Sequence, residues 1–182
     1  MSKLIVLNGP LGSGKSTLAR AYAEKHPMTL ALDIDEVWFM ISDWRNNWEQ
    51  SAPLAKEMGV SMARIHLSAG YDVVIPQVIL DDELRSRFKT LANETNAQLF
   101  EILIDLSKEE ALQRYRKRLQ QKQYPQGYKP DLSDTPEGKE KLFLERYDKM
   151  VNAAREEPGI LRFTPELNQI DTSVEVIEGL TG

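Results

Sequence analysis

The stretch LIVLNGPLGSGKST, Leu4 to Thr17, decides how this chain is read. Leu4–Leu7 is a short all-apolar run, the pattern of a strand buried on both faces, and Asn8-Gly9-Pro10 ends it. Gly9, Gly14, Lys15 and Ser16 then satisfy G-x-x-x-x-G-K-[ST] without mismatch. A helix is predicted from Lys15 or Ser16 to about His26, with Pro27 just past its end. Gly9, Gly12 and Gly14 let the backbone wrap closely around an anion. Successive N–H groups turned inward make an anion nest, and the positive end of the helix adds to it. The loop residues Gly9, Leu11, Gly12, Ser13, Gly14, Lys15, Ser16 and Thr17 are therefore the expected phosphate-binding set. Lys15 is expected to reach β- and γ-phosphates, Ser16 to offer its hydroxyl oxygen to Mg²⁺, and Thr17 to contact the α-phosphate.

Outward from this stretch, apolar runs of strand length alternate with helical patterns. TLALDID (Thr29–Asp35) reads as a second strand, followed by a tryptophan-rich segment, Val37 to Trp48. Leu54, Met58, Met62, Ile65 and Ala69 step by four, four, three and four, which predicts a helix with those residues on its core side. DVVIPQVI (Asp72–Ile79) reads as a third strand ended at Pro76, and LFEILIDL (Leu99–Leu106) as a fourth. Leu84, Phe88 and Leu91 mark the helix between them. Ser107 and Glu110 form a capping box, and Thr135-Pro136 an N-cap with proline at the first position. The second of these helices carries its stripe on Phe143, Tyr147, Met150 or Val151, and Ala154. ILRF (160–163) and NQID (168–171) read as weak strands, and Thr172 with Glu175 as a cap for a last helix. Near-continuous apolar strands between helices imply a parallel sheet covered on both faces, an α/β/α sandwich. Right-handed crossovers put the strand C-termini along one edge, where Gly9, Asp35, Pro76 and Asp105 fall and ligands bind.

The totals narrow the function. The 182 residues suit a single domain, 1–182. Net charge is −5 with no long basic run, which argues against a polyanion partner. Cysteine is absent, so disulfides, thiolate nucleophiles and cysteine metal sites are excluded. No secretory leader and no run of membrane-spanning length is apparent, so a soluble, cytoplasmic protein is expected, with no membrane partner. N-K-x-D, the guanine-reading sequence of GTPases, is missing, and the third strand ends in Pro76-Gln77 rather than the acid of a Walker-B strand.

On GPLGSGKST, LDIDEV, the R-Y-R-K-R of the helix after the fourth strand, and NQIDTS, the chain resembles the small-molecule and nucleotide kinase branch of the P-loop fold. It is similar to the group holding chloramphenicol phosphotransferase, gluconate kinase and shikimate kinase, and to AAA-type P-loop kinases. VVIPQVILDDEL also resembles tunicamycin-resistance-type ATP-binding proteins. The resemblance implies a five-stranded parallel sheet in the order 2-3-1-4-5, a helical lid at about 118–136, and ATP with Mg²⁺. Asp33 and Asp35, two apart on a strand, would share a face; by resemblance Asp33 helps hold Mg²⁺ and Asp35 binds the acceptor hydroxyl and takes its proton. Arg114 and Arg118 share a helix face. By resemblance one packs over adenine and the other neutralises the moving phosphoryl group, while Arg116 points elsewhere. The resemblance also sets Thr172 beside the adenine, although a helix cap explains it equally.

An acceptor-side flap is expected over about 36–66, with Trp38 and Arg45 as substrate contacts or as packing and surface residues, and Gln77 at the edge as a neutral donor and acceptor. Lys15, Asp35, Arg114 and Arg118 make up the expected catalytic set. The leading expectation is transfer of the ATP γ-phosphate to a hydroxyl of a small molecule. A polynucleotide end kinase and a nucleotide-binding regulator or slow ATPase are the alternatives. Monomer and dimer both stay open.

Overall fold

The computed structural model describes residues 1–121, 135–166 and 169–182. Its elements run β1 (Lys3–Asn8), α1 (Lys15–Lys25), β2 (Leu30–Ala31), α2 (Ile34–Phe39), α3 (Trp48–Ser68), β3 (Val73–Pro76), α4 (Asp82–Thr95), β4 (Gln98–Ile104), α5 (Lys108–Gln120), α6 (Pro136–Arg155), β5 (Leu161–Phe163) and α7 (Ile170–Thr181). The five strands form one sheet in the order β2-β3-β1-β4-β5, every pair parallel. β1 lies at its centre, with Leu4, Ile5, Val6 and Leu7 all buried. An unbroken apolar strand is what such a position demands, since both of its faces are covered.

Alternation along the strands feeds two cores. Leu4, Val6, Val73 and Ile75 meet Val60, Ala63 and Leu67 of α3 and Leu84, Phe88 and Leu91 of α4. Ile5, Leu7, Val74, Ile102 and Ile104 meet Leu18 and Tyr22 of α1, Phe143 of α6, and Val174 and Ile177 of α7. The result is a three-layer α/β/α sandwich. The caps that sequence predicts for α5 and α6 are present: Ser107 Oγ accepts from the Glu110 N–H at 3.2 Å and Thr135 Oγ1 from the Gly138 N–H at 3.1 Å. No helix among the described residues is long and apolar enough to cross a membrane.

Four expectations are corrected. β2 is only Leu30–Ala31; the chain leaves the sheet at Leu32 and turns into α2, because Asp33 caps that helix by accepting from the Asp35 N–H at 3.1 Å. Asp33 and Asp35 therefore do not share a strand face. The stripe expected inside α3 is on its outside: Leu54, Met58, Met62 and Ile65 are exposed, and Ser51, Ala55, Gly59, Val60, Ala63 and Leu67 are buried. The helical period was legible but its phase was not, because the small side chains give the closer fit. A Cβ on Gly59 would lie 2.8 Å from Ile34 Cγ1, so α2 and α3 touch with no room for a methyl. The 36–66 region is mostly regular helix, with an irregular connector only at 40–47. Finally, 170–171 belong to α7, whose N-cap is Gln169 rather than Thr172. Most of the expected lid lies outside the described residues; 118–120 end α5 and Pro136 opens α6.

Gly59→Ala is expected to destabilise the protein by about 1–3 kcal/mol, since overpacking against Ile34 outweighs the helix propensity gained. In an Ile34→Ala background the same change is expected to stabilise by about 1 kcal/mol. Urea denaturation of the four proteins in that cycle checks the sign reversal.

Candidate functional site

The loop after β1 folds as its glycines require. Gly14, with φ 95°, stands at the N-cap of α1 in a left-handed conformation that a side chain would strain. Gly9 passes so close to β4 that a Cβ would sit 3.0 Å from Ile104 Cβ and from Ser13 Oγ. Lys15 is buried beneath the loop, its ammonium donating to the carbonyls of Gly9 at 2.8 Å and Pro10 at 2.9 Å. Burial lowers its pKa to about 8, against the pull of Asp35 and Asp33 and with the push of Arg118. Ser13 Oγ is buried with no hydrogen-bond partner among the described residues.

Ser16 and Asp33, expected from sequence to serve one metal, are brought together: Ser16 Oγ donates to Asp33 Oδ2 at 2.8 Å. The other oxygen of Asp33 holds the Asp35 N–H. A salt bridge from Arg20 of α1 to Glu36 of α2 closes the same junction. Asp35 sits in the first turn of α2 with its side chain open to solvent in the cleft. Desolvation by the surrounding walls and the neighbouring Asp33 raise its pKa, while Lys15, Arg146 and Arg118 pull it down. Raised, it is a stronger base than an ordinary carboxylate.

The arginines separate by role. Arg118 lies near enough to act on both Lys15 and Asp35. Arg114 is ion-paired to Glu110 at 2.7 Å and has a buried Nε with no partner among the described residues. Arg116 faces away and binds Glu140 on α6, as its helix phase predicts. Sequence reasoning missed Arg146. It joins Pro10, Leu11, Val78, Phe143, Tyr147 and Met150 around a recess beside the phosphate loop, and its charge reaches Asp35. The signal was its spacing, three residues from Phe143 and four from Met150, which puts it on the flank of the core stripe.

Gln77 continues the sheet edge, its N–H donating to the Leu7 carbonyl at 3.0 Å, and its buried Oε1 has no partner among the described residues. Asn8, read from sequence only as a strand end, fixes the segment beyond it. Its Oδ1 accepts from the Ile79 N–H at 3.1 Å and its Nδ2 donates to Glu101 at 3.2 Å, which in turn holds the buried Arg85 at 2.9 Å. Asp105, at the same edge, faces Arg162 at 3.6 Å.

Trp38 and Trp44 pack, whereas Trp48 is exposed. Trp38 Nε1 donates to Ser51 Oγ at 2.7 Å, and its ring lies 4.6 Å from that of Trp44. Arg45 covers the Trp44 ring at 5.2 Å. Thr172 is in the first turn of α7, donating to Gln169 Oε1 at 3.2 Å. Its neighbour Asp171 pairs with Lys25 at 3.3 Å, in the last turn of α1. His26 stacks on Tyr22 and His66 meets the Met28 carbonyl; neither enters the site.

The metal chemistry fits. Mg²⁺ takes oxygen ligands and is ordinarily held by one or two protein oxygens together with substrate phosphates. Ser16 and Asp33 supply such oxygens, and no cluster of three acidic or histidine side chains competes among the described residues.

The lowered pKa of Lys15 sets a pH dependence. A nucleoside triphosphate at the loop favours the ammonium, so binding above pH 8 takes up a proton, and affinity falls as pH rises through about 8. Titration calorimetry in two buffers of different ionisation enthalpy is expected to register that proton. Without ligand the sign reverses: unfolding binds a proton between pH 8 and 10.5, so stability gains from Lys15 over that range.

Comparison with known proteins agrees with this fold. A shikimate kinase from Bacteroides thetaiotaomicron superposes with a TM-score of 0.65 at 17% identity, over 98% of both chains. A tunicamycin resistance protein from Deinococcus radiodurans gives 0.63 at 15% identity, over 100% of this chain and 96% of that one. A gluconokinase from Sinorhizobium meliloti 1021 gives 0.61 at 18% identity, over 98% and 91%. No curated protein matches the sequence. The family described as "AAA domain" matches residues 4–148. With that match, a complete phosphate loop and the sheet order 2-3-1-4-5, the chain belongs to the AAA domain family and has the fold of the P-loop kinases.

Proposed function

We propose that this protein is an ATP- and Mg²⁺-dependent phosphotransferase that moves the γ-phosphate to a hydroxyl of a small molecule. The observation that carries the reading is the meeting of Ser16, Asp33 and Asp35 at the mouth of the phosphate loop, with Lys15, Arg118 and Arg146 in electrostatic reach. A hydrolase needs only a water at this place. A carboxylate raised in pKa beside the loop suits an alcohol that must lose its proton as it attacks.

The geometry supports the following roles. The phosphate-loop backbone and Lys15 hold the triphosphate, with Ser13, Gly14 and Thr17 facing it. Ser16 and Asp33 hold Mg²⁺, which when bound offsets charge on the β- and γ-phosphates. Asp35 orients the acceptor hydroxyl and takes its proton as the acceptor oxygen bonds to Pγ and the bond from Pγ to the β–γ bridging oxygen breaks, releasing ADP. Arg118 and Arg146 counter charge spread over the transferring group. Arg114 is tied to Glu110 within α5, whose backbone at Arg114 and Tyr115 lies against Gly12 of the loop. Gln77, with its unpartnered Oε1, is the acceptor's neutral contact. Trp38 and Arg45 shape the wall of the acceptor side rather than grip the substrate, because their polar and aromatic faces are engaged.

ADP release from ATP is measured with and without a panel of sugars, nucleosides, hydroxy acids and hydroxylated antibiotics. Stimulation by one class, with the phosphate recovered on that compound, is the expected result. Turnover indifferent to every compound would point to a regulator or slow ATPase instead. With the stimulating acceptor, Asp35→Asn is expected to leave ATP affinity within a few-fold and to lower kcat by about 10²–10⁴. A near-wild-type rate would remove Asp35 from the chemistry.

A further inference from the structure

The outward face of α3 is built like a core and is open to water. Leu54, Met58, Met62 and Ile65 are 52%, 39%, 42% and 74% exposed. Their spacing of four, four and three is that of a helix–helix seam. The stripe is about 16 Å long at 1.5 Å per residue. At the C-terminal end of the helix it runs on towards exposed Met28 and Tyr71, which are tied to it through His66: Nε2 lies 2.7 Å from the Met28 carbonyl, and the rings of His66 and Tyr71 lie 5.6 Å apart. Four large apolar side chains in line are a patch, not the scattered exposure ordinary on a surface.

We propose that this face is an isologous dimer interface, with α3 packed antiparallel on α3 of a second copy of the chain. The charges beside the stripe select that occupant and that direction. Glu57 and Arg64 lie on one flank of the helix, both exposed, and stand at nearly equal distances on either side of residue 60. Met58 and Met62 are centred on the same residue, and so, within one position, are Leu54 and Ile65. A two-fold axis crossing the stripe at residue 60 keeps the flank on one side and reverses the helix. Met58 then meets Met62 of the copy, Leu54 meets Ile65, and Glu57 meets Arg64, each contact occurring twice. A parallel pairing, whose two-fold runs along the helices, would carry the flank to the opposite side of the seam and leave Glu57 and Arg64 without each other. Within one chain Glu57 binds Arg87 and Arg64 binds Glu94, so each end of the flank presents a paired carboxylate and guanidinium that the copy complements. Exposed Ser61, on the same face, is small enough to let the helices approach near the axis.

The absence of cysteine from the chain makes the geometry directly testable. Light scattering on the full-length protein from 5 to 100 μM is expected to give a dimer. Met58→Glu with Met62→Glu is expected to give a monomer with the thermal midpoint of folding shifted little, because both side chains are on the surface. Under mild oxidation Ser61→Cys is expected to cross-link to itself. Leu54→Cys is expected not to, its partner lying about 18 Å away along the helix, but to cross-link when mixed with Ile65→Cys. A monomer at 100 μM overturns the proposal, as does a dimer untouched by the two glutamates. Self-linking of Leu54→Cys overturns the antiparallel arrangement. A monomer that sediments with phosphatidylcholine–phosphatidylglycerol vesicles assigns the stripe to a membrane surface instead.

Discussion

The hydrogen bond from Ser16 to Asp33 joins two parts of the chain that the sheet order keeps apart. Ser16 opens the helix behind β1, Asp33 follows β2, and β3 lies between those strands. Asp33 uses one oxygen for Ser16 and the other to cap α2. One carboxylate therefore fixes the start of α2 and its distance from the phosphate loop, and Asp35 inherits its position from both. The salt bridge between Arg20 and Glu36 repeats the link one turn along each helix. From behind, Ile34 is seated against Gly59 of α3 with no space to spare. Short-range contacts from three elements thus fix where Asp35 stands.

The electrostatics of the cleft follow from the same crowding. Burial lowers the pKa of Lys15, and desolvation by the cleft walls with Asp33 beside it raises that of Asp35, so each is pushed towards its neutral form while each partly restores the charge of the other. Arg118 from α5 acts on both, and Arg146 from α6 acts on Asp35. Oriented cations in a walled cleft act on a polyanion more strongly than the same charges in open water. The chain as a whole is acidic, so this positive potential is local, a product of which side chains the fold gathers rather than of composition.

Legibility in the sequence followed the range of the interaction. Gly9, Gly14, Lys15 and Ser16 were readable because a phosphate loop needs fixed residue types at fixed spacing, and the caps at Ser107 and Thr135 because capping is settled within four residues. The buried strands β1, β3 and β4 were readable because apolar runs have no other use in a sheet covered on both sides. The phase of α3 was not, since its stripe of leucine, methionine and isoleucine looks more like a core than the Ala55, Gly59 and Ala63 that form it. That choice rests on how closely α2 can approach, a distance no local pattern encodes. Asp33 and Asp35 were recognised as a pair and assigned the wrong backbone, because a strand and a helix start tolerate the same LDIDEV. Arg146 carried almost no signal: a lone arginine on a helix acquires meaning only when α6 crosses the sheet edge beside Pro10.

By itself the sequence determined that a phosphate is bound, where the loop that binds it lies, and that a parallel α/β/α sheet carries it. These depend on backbone conformation and on alternation of apolar and polar residues, which are local. Only the tertiary structure decided that Asp33 faces Ser16, that Arg146 joins the cleft, and that one apolar face of α3 is left outside. Those outcomes depend on distances between elements far apart in the chain. They are fixed by close packing of small side chains such as Gly59, whose lack of a methyl group sets how near two helices can come.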